Sequence, residues 1–140
     1  MAKRHDRCSN TGMSEASLQV LEGDRTVFSS FGKWLHPLFE FEEWLEKQDI
    51  DPHDLTVCDN IVGKAAALLI VRLEIRRVKA GVLSRLGEGV LKKHQVSYSC
   101  AEMVEKVLCR TERELLGVED PQEAYRILSE RIREKLPGRR

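Results

Sequence analysis

Cys58-Asp59-Asn60-Ile61-Val62-Gly63-Lys64-Ala65-Ala66-Ala67-Leu68-Leu69-Ile70-Val71 decides how this chain folds. Leu55-Thr56-Val57-Cys58 reads as a short apolar strand, and Asp59 and Asn60 at its end are residue types that cap helices. From Ile61 to Val71 the chain is apolar nearly all round, the pattern of a helix buried on several sides, and Ala65, Ala66 and Ala67 let neighbours approach closely. Lys64 interrupts that run. A buried ammonium loses hydration, so such a lysine reaches water, pairs with an acid, meets a bound anion or gives up its proton.

Working outward from this central helix, the pattern alternates strands and helices. Upstream, Leu18-Gln19-Val20-Leu21 and Thr26-Val27-Phe28 flank Glu22-Gly23-Asp24-Arg25, which predicts a β-hairpin. His36-Pro37 opens a helix whose stripe of Leu38, Phe41, Trp44 and Leu45 packs on a sheet. Asp49 to Asp54, with Pro52, is a connector. Downstream, Glu74 to Leu83 reads as a strand that ends at Ser84, the cap of a helix running through His94, and Val96 to Ser99 as a further short strand. Capping boxes at Thr111 to Glu114 and Asp120 to Glu123 start the remaining helices, and Tyr125, Leu128 and Ile132 line the last one. Alternation of this kind predicts crossovers and a three-layer α/β/α sandwich with an N-terminal hairpin.

At 140 residues and 41% hydrophobic content the chain suits one domain, expected over 16–135 between a mobile tail at 1–15 and a basic end at 136–140. Twenty-three basic residues balance 23 acidic ones, so no global field draws it to nucleic acid or to an anionic membrane. Ile61 to Val71 is far shorter than the ~20 residues that span a bilayer. Cys8, Cys58, Cys100 and Cys109 form no C-x-x-C pair, which leads us to expect reduced thiols and a cytoplasmic location. His5, His36, His53 and His94 are scattered without ligand spacing, so no metal is expected. Lys92-Lys93-His94 and Arg76-Arg77 lack interleaved aromatics and read as solvated faces, not as a nucleic-acid platform. Trp34, Phe39, Phe41 and Trp44 read as core or interface anchors.

With these elements placed, the chain resembles the domain-of-unknown-function family 1893, whose members look like the cytidine-deaminase-like fold. The resemblance rests on the hairpin, on Gly32 with Pro37-Leu38, and on Asp59 followed by Val62-Gly63-Lys64-Ala65-Ala66-Ala67. It continues through Ala80-Gly81-Val82, Leu116-Gly117-Val118-Glu119-Asp120-Pro121 and Ala124-Tyr125. The family's Cys-Pro-Met-Glu stretch falls on Cys109-Arg110-Thr111-Glu112, which keeps the cysteine and the acid and puts Arg110 in place of proline. The resemblance implies the deaminase-like fold and no zinc chemistry. Zinc deaminases carry H-x-E and P-C-x-x-C, and this chain has Gly63-Lys64-Ala65 where that fold's central helix begins.

Two constellations are candidates for chemistry. Asp59, Asn60, Gly63 and Lys64 join a strand end, a helix start, a close-approach glycine and a cation, a combination that favours anions. The plainer alternative has Asp59 only capping, Gly63 only packing and Lys64 reaching solvent or a nearby acid. Cys109 and Glu112, three apart, would share a helical face as nucleophile and general acid, or be a core residue and an exposed first-turn acid. Three functional readings stay open: a zinc-independent enzyme on a small anionic or nucleotide-like ligand, with Asp59, Lys64, Cys109 and Glu112 as catalytic candidates; a non-catalytic ligand-binding or sensor domain; and a structural homo-oligomeric domain. No cofactor is expected.

Overall fold

The fold is that of a computed structural model, which describes residues 16–32, 35–105, 115 and 117–135, with side chains through 131. Five strands form one mixed sheet in the order β2-β1-β3-β4-β5. These are β1 (Leu18–Glu22), β2 (Arg25–Ser30), β3 (Leu55–Val62), β4 (Arg77–Ser84) and β5 (Ser97–Val104). Four α-helices accompany them among the described residues: α1 (His36–Glu46), α2 (Lys64–Arg72), α3 (Arg85–Lys93) and α4 (Pro121–Lys135). The molecule is thus of α/β class.

The hairpin forms as the sequence predicts, with β1 and β2 antiparallel around Gly23 and Asp24. β1 also pairs antiparallel with β3, while β3, β4 and β5 run parallel. Parallel neighbours need crossovers, and α2 and α3 supply them, which places both helices on one face of the sheet by the right-handed rule. Alternation along the strands identifies that face. Phe28, Val20, Val57, Val78 and Tyr98 lie in one row across the register. The Phe28 ring packs on Phe41 and Trp44 of α1, and the Tyr98 hydroxyl donates to Glu88 of α3 at 2.6 Å. The core lies between these strands and the helices.

Helix α2 is buried from Lys64 through Ile70, as its all-round apolar pattern predicts. It is enclosed because α1, α3 and α4 pack on it. Arg72 at its end ties three helices together. Its guanidinium lies 3.6 Å from the centre of the Tyr125 ring in α4 and 2.8 Å from Glu42 in α1, and Phe39 of α1 stacks on Tyr125. At the start of α4, Asp120 accepts from the Glu123 N–H at 3.2 Å, the predicted cap.

Three expectations change. Asp59 and Asn60 do not cap a helix: β3 runs on through Val62, and the cap of α2 is Gly63, without a side-chain hydrogen bond. Pairing of Asp59 with Leu18 on one side and Ala80 on the other outweighs the capping preference of the residue type. β5 likewise extends beyond Ser99 to Val104 because it pairs with the whole length of β4. Finally, Cys58 is in a disulfide and Cys100 is free, so the expectation of reduced thiols fails at Cys58. Disulfides depend on how near the folded chain brings two thiols, which spacing along the sequence does not reveal. Among the described residues no helix is long and apolar enough to cross a membrane.

Gly81 of β4 allows the central pair to close. A Cβ there would stand 2.7 Å from the Asn60 carbonyl oxygen of β3, a contact with backbone that cannot swing aside. Gly89 in α3 faces open space. Gly81→Ala is therefore expected to destabilise the protein by about 1–3 kcal/mol in urea unfolding, and Gly89→Ala to stabilise it by ~0.5–1 kcal/mol. Equal effects of the two would contradict this packing.

Candidate functional site

In a parallel α/β sheet, ligands settle outside the carboxyl ends of the strands, where the following helices begin. Here those ends are Val62-Gly63-Lys64 after β3 and Ser84-Arg85 after β4. The two helix starts touch. A Cβ on Gly87 would lie 3.0 Å from the Gly63 carbonyl oxygen and 3.1 Å from that of Val62, so only a glycine fits without displacing them. Ser84, fully buried, accepts from the Gly87 N–H at 2.9 Å and caps α3.

Lys64 is the first residue of α2, and its side chain is 3% exposed. Its Nζ donates to Glu119 Oε2 at 2.9 Å, while Lys93 approaches the other oxygen of the same carboxylate at 3.7 Å. Lys64 therefore pairs with an acid, one of the outcomes the sequence leaves open. Glu119 differs from its partner in exposure, with 55% of its side chain in solvent. The Lys64 ammonium, by its hydrogen bond first and its charge second, holds the Glu119 carboxyl below the ordinary range. The stabilisation that goes with a lowered carboxyl is present above the ordinary range and is lost as pH falls through the lowered value.

Asp59 lies on β3 in the row that runs from Ser30 through Leu18 and Asp59 to Ala80 and Cys100. Leu18 and Ala80 are both buried, and this apolar flanking raises the Asp59 carboxyl from 3.8 to about 7 by desolvation, against the opposing influence of the Ile61 and Asn60 N–H groups. Lys64 donates to Glu119, whereas the influences on the Asp59 carboxyl are burial and those backbone groups, so the Lys64 ammonium is not what sets the Asp59 carboxyl. Asn60 is an exposed strand residue, and Gly63 lies between strand and helix. Cys109 and Glu112 lie outside the described residues, as does Trp34.

Sequence reasoning did not single out Glu119, which lies 55 residues from Lys64 along the chain. Its place just ahead of the Asp120 capping box was the available cue. The side chains at the two helix starts are an ammonium and a capping hydroxyl, and among the described residues no three His, Cys, Asp or Glu side chains gather as ligands.

Two predictions follow from these charges. The unfolded Asp59 carboxyl ionises near 3.8 and the folded one near 7, so the folded state holds the extra proton between them and stability falls as pH rises across that window. Asp59→Asn is expected to be more stable than wild type by roughly 1–3 kcal/mol at pH 8, with the difference gone by about pH 4, in thermal unfolding across pH. Glu119→Gln removes the carboxylate charge that the buried Lys64 hydrogen-bonds and is expected to cost ~1–2 kcal/mol, discounted for the exposure of Glu119. Adding Lys64→Met to Glu119→Gln should recover most of that loss; no recovery would mean that the pair is not coupled.

Comparison with known proteins places this geometry. The sequence profile described as Domain of unknown function (DUF1893) matches residues 13–132. Among solved structures, the crystal structure of a DUF1893 family protein (TM1506) from Thermotoga maritima, at 2.70 Å resolution, is similar with a TM-score of 0.76 and 26% identity. The similarity covers 88% of this chain and 85% of that one. No curated protein matches the chain.

Proposed function

This chain belongs to the DUF1893 family, and we propose that it is a zinc-independent enzyme of cytidine-deaminase-like fold that acts on a small anionic, nucleotide-like ligand at the carboxyl ends of β3 and β4. The observation that carries the reading is the Lys64–Glu119 pair: a cation buried at a helix start, neutralised by a carboxylate that is itself half in solvent. A buried cation does little for stability that an apolar residue of similar size would not do. An anionic ligand group arriving beside the exposed carboxylate exchanges with it, and the adjoining N-termini of α2 and α3 add N–H donors and favourable dipoles for the same charge.

In this proposal Lys64 orients and polarises the ligand's anionic group, with Asn60 and Gly63 lining its approach. Asp59, with a carboxyl near neutrality, takes up or delivers a proton, the property asked of a general acid–base group at physiological pH. Cys109 and Glu112 remain the proposed nucleophile and second acid. The absence of H-x-E and P-C-x-x-C supports zinc independence.

A second reading, a binding or sensor domain without turnover, is favoured by the same pair, because carboxylate exchange on Lys64 is a binding event and needs no chemistry. Titration of ¹⁵N-labelled protein with AMP separates the readings. Saturable amide shifts at Gly63, Lys64 and Ala65, lost in Lys64→Met, are expected under both. Time-dependent change in the AMP spectrum that is lost in Asp59→Asn marks the enzyme, and saturable binding without it marks the sensor. No shift at those amides with any nucleotide or small phosphate would remove both readings.

A further inference from the structure

We propose that the sheet face turned away from α1 and α3 carries a second ligand site, a groove floored by Arg77 and Lys79 that takes a phosphate-bearing small molecule of mononucleotide size. Strand alternation assigns the face. Val57, Val78 and Tyr98 point toward the helices, so Thr56, Arg77, Lys79, Ser97 and Ser99 point the other way. Register then sets hydroxyls beside cations. Arg77 lies between Thr56 and Ser97, and Lys79 lies beside Ser99.

These residues line a groove of about 520 Å³, within the roughly 300–1,000 Å³ of small-molecule sites. The Arg77 Nε donates to Thr56 Oγ1 at 3.3 Å, which orients the guanidinium over the β3–β4 pair, and the same group carries further N–H donors. Among the described lining residues the charged side chains are Arg77, Lys79 and Asp24 of the β1–β2 turn, and the Arg77 guanidinium keeps N–H donors beyond the one that Thr56 takes. Arg and Lys bind phosphoryl oxygens through charge-assisted hydrogen bonds, and serine hydroxyls serve either a phosphate or a sugar hydroxyl. Leu21 adds an apolar wall for the rest of the ligand.

The groove is separate from the Lys64 site. Arg77 and Ser97 open β4 and β5, so it sits at the amino ends of the parallel strands, whereas Gly63 and Lys64 follow the carboxyl end of β3. Success or failure at one site is read independently of the other.

The test is a chemical-shift titration of the ¹⁵N-labelled full chain with AMP at low ionic strength, with adenosine and inorganic phosphate as further arms. Saturating shifts are expected at the amides of Thr56, Arg77, Ser97 and Ser99, competed by inorganic phosphate and at least tenfold weaker with adenosine. Arg77→Gln/Lys79→Gln should weaken AMP binding there at least tenfold, and Lys64→Met should leave it within twofold. Ser99→Glu, which sets a carboxylate opposite Lys79, gives the same tenfold loss by a separate route if the double variant fails to fold. Shifts confined to Gly63 and Lys64, equal binding of adenosine, or undiminished binding by these groove variants would overturn the proposal.

Discussion

The close approach of α2 and α3 at their N-termini is the constraint on which the rest of the architecture depends. Gly87 stands against the carbonyls of Val62 and Gly63, and a methyl group there would have to push them back by a few tenths of an ångström. That contact sets the two helix starts side by side above the carboxyl ends of β3 and β4, and so gathers the orphan N–H groups of two helices in one place. It also fixes where Lys64 begins its path. With α1, α3 and α4 packed around α2, the lysine has no short route to water, and its ammonium reaches Glu119 instead.

The charges near this point follow from their surroundings. Asp59 is held near neutrality because its strand neighbours Leu18 and Ala80 are apolar and buried, whereas Glu119 is held low because it meets an ammonium. The pH behaviour of the two differs in sign. The strain of the ionised Asp59 grows as pH rises toward 7, and the Glu119 contribution fails only in acid.

Much of the fold was legible in the residues. Gly23-Asp24 between two β-prone runs marked the hairpin, Pro37 marked the start of α1, and Ser84 and Asp120 acted as the caps their types suggest. The failure at Asp59-Asn60 has a definite cause: a local capping preference of about 1 kcal/mol competed with strand pairing on both sides, which no local reading contains. Lys64 was legible as an anomaly, but its partner was not, because an ion pair between distant residues leaves no periodic mark. Arg76-Arg77 reads as a solvated face, and Arg77 is exposed at the start of β4. The period of two in Arg77-Val78-Lys79 and Ser97-Tyr98-Ser99 adds that cations and hydroxyls share one face.

In the function proposed above, the Lys64 ammonium is held by an exchangeable carboxylate and is available to a ligand's anion. Observation of the Lys64 Nζ resonance in ¹⁵N-lysine-labelled protein during addition of AMP tests it most directly. This resonance is expected to move with the same saturation curve as the Gly63 amide, and its correlation to Glu119 to weaken in step. A resonance that stays fixed, with its Glu119 correlation intact while AMP saturates the protein, would contradict it.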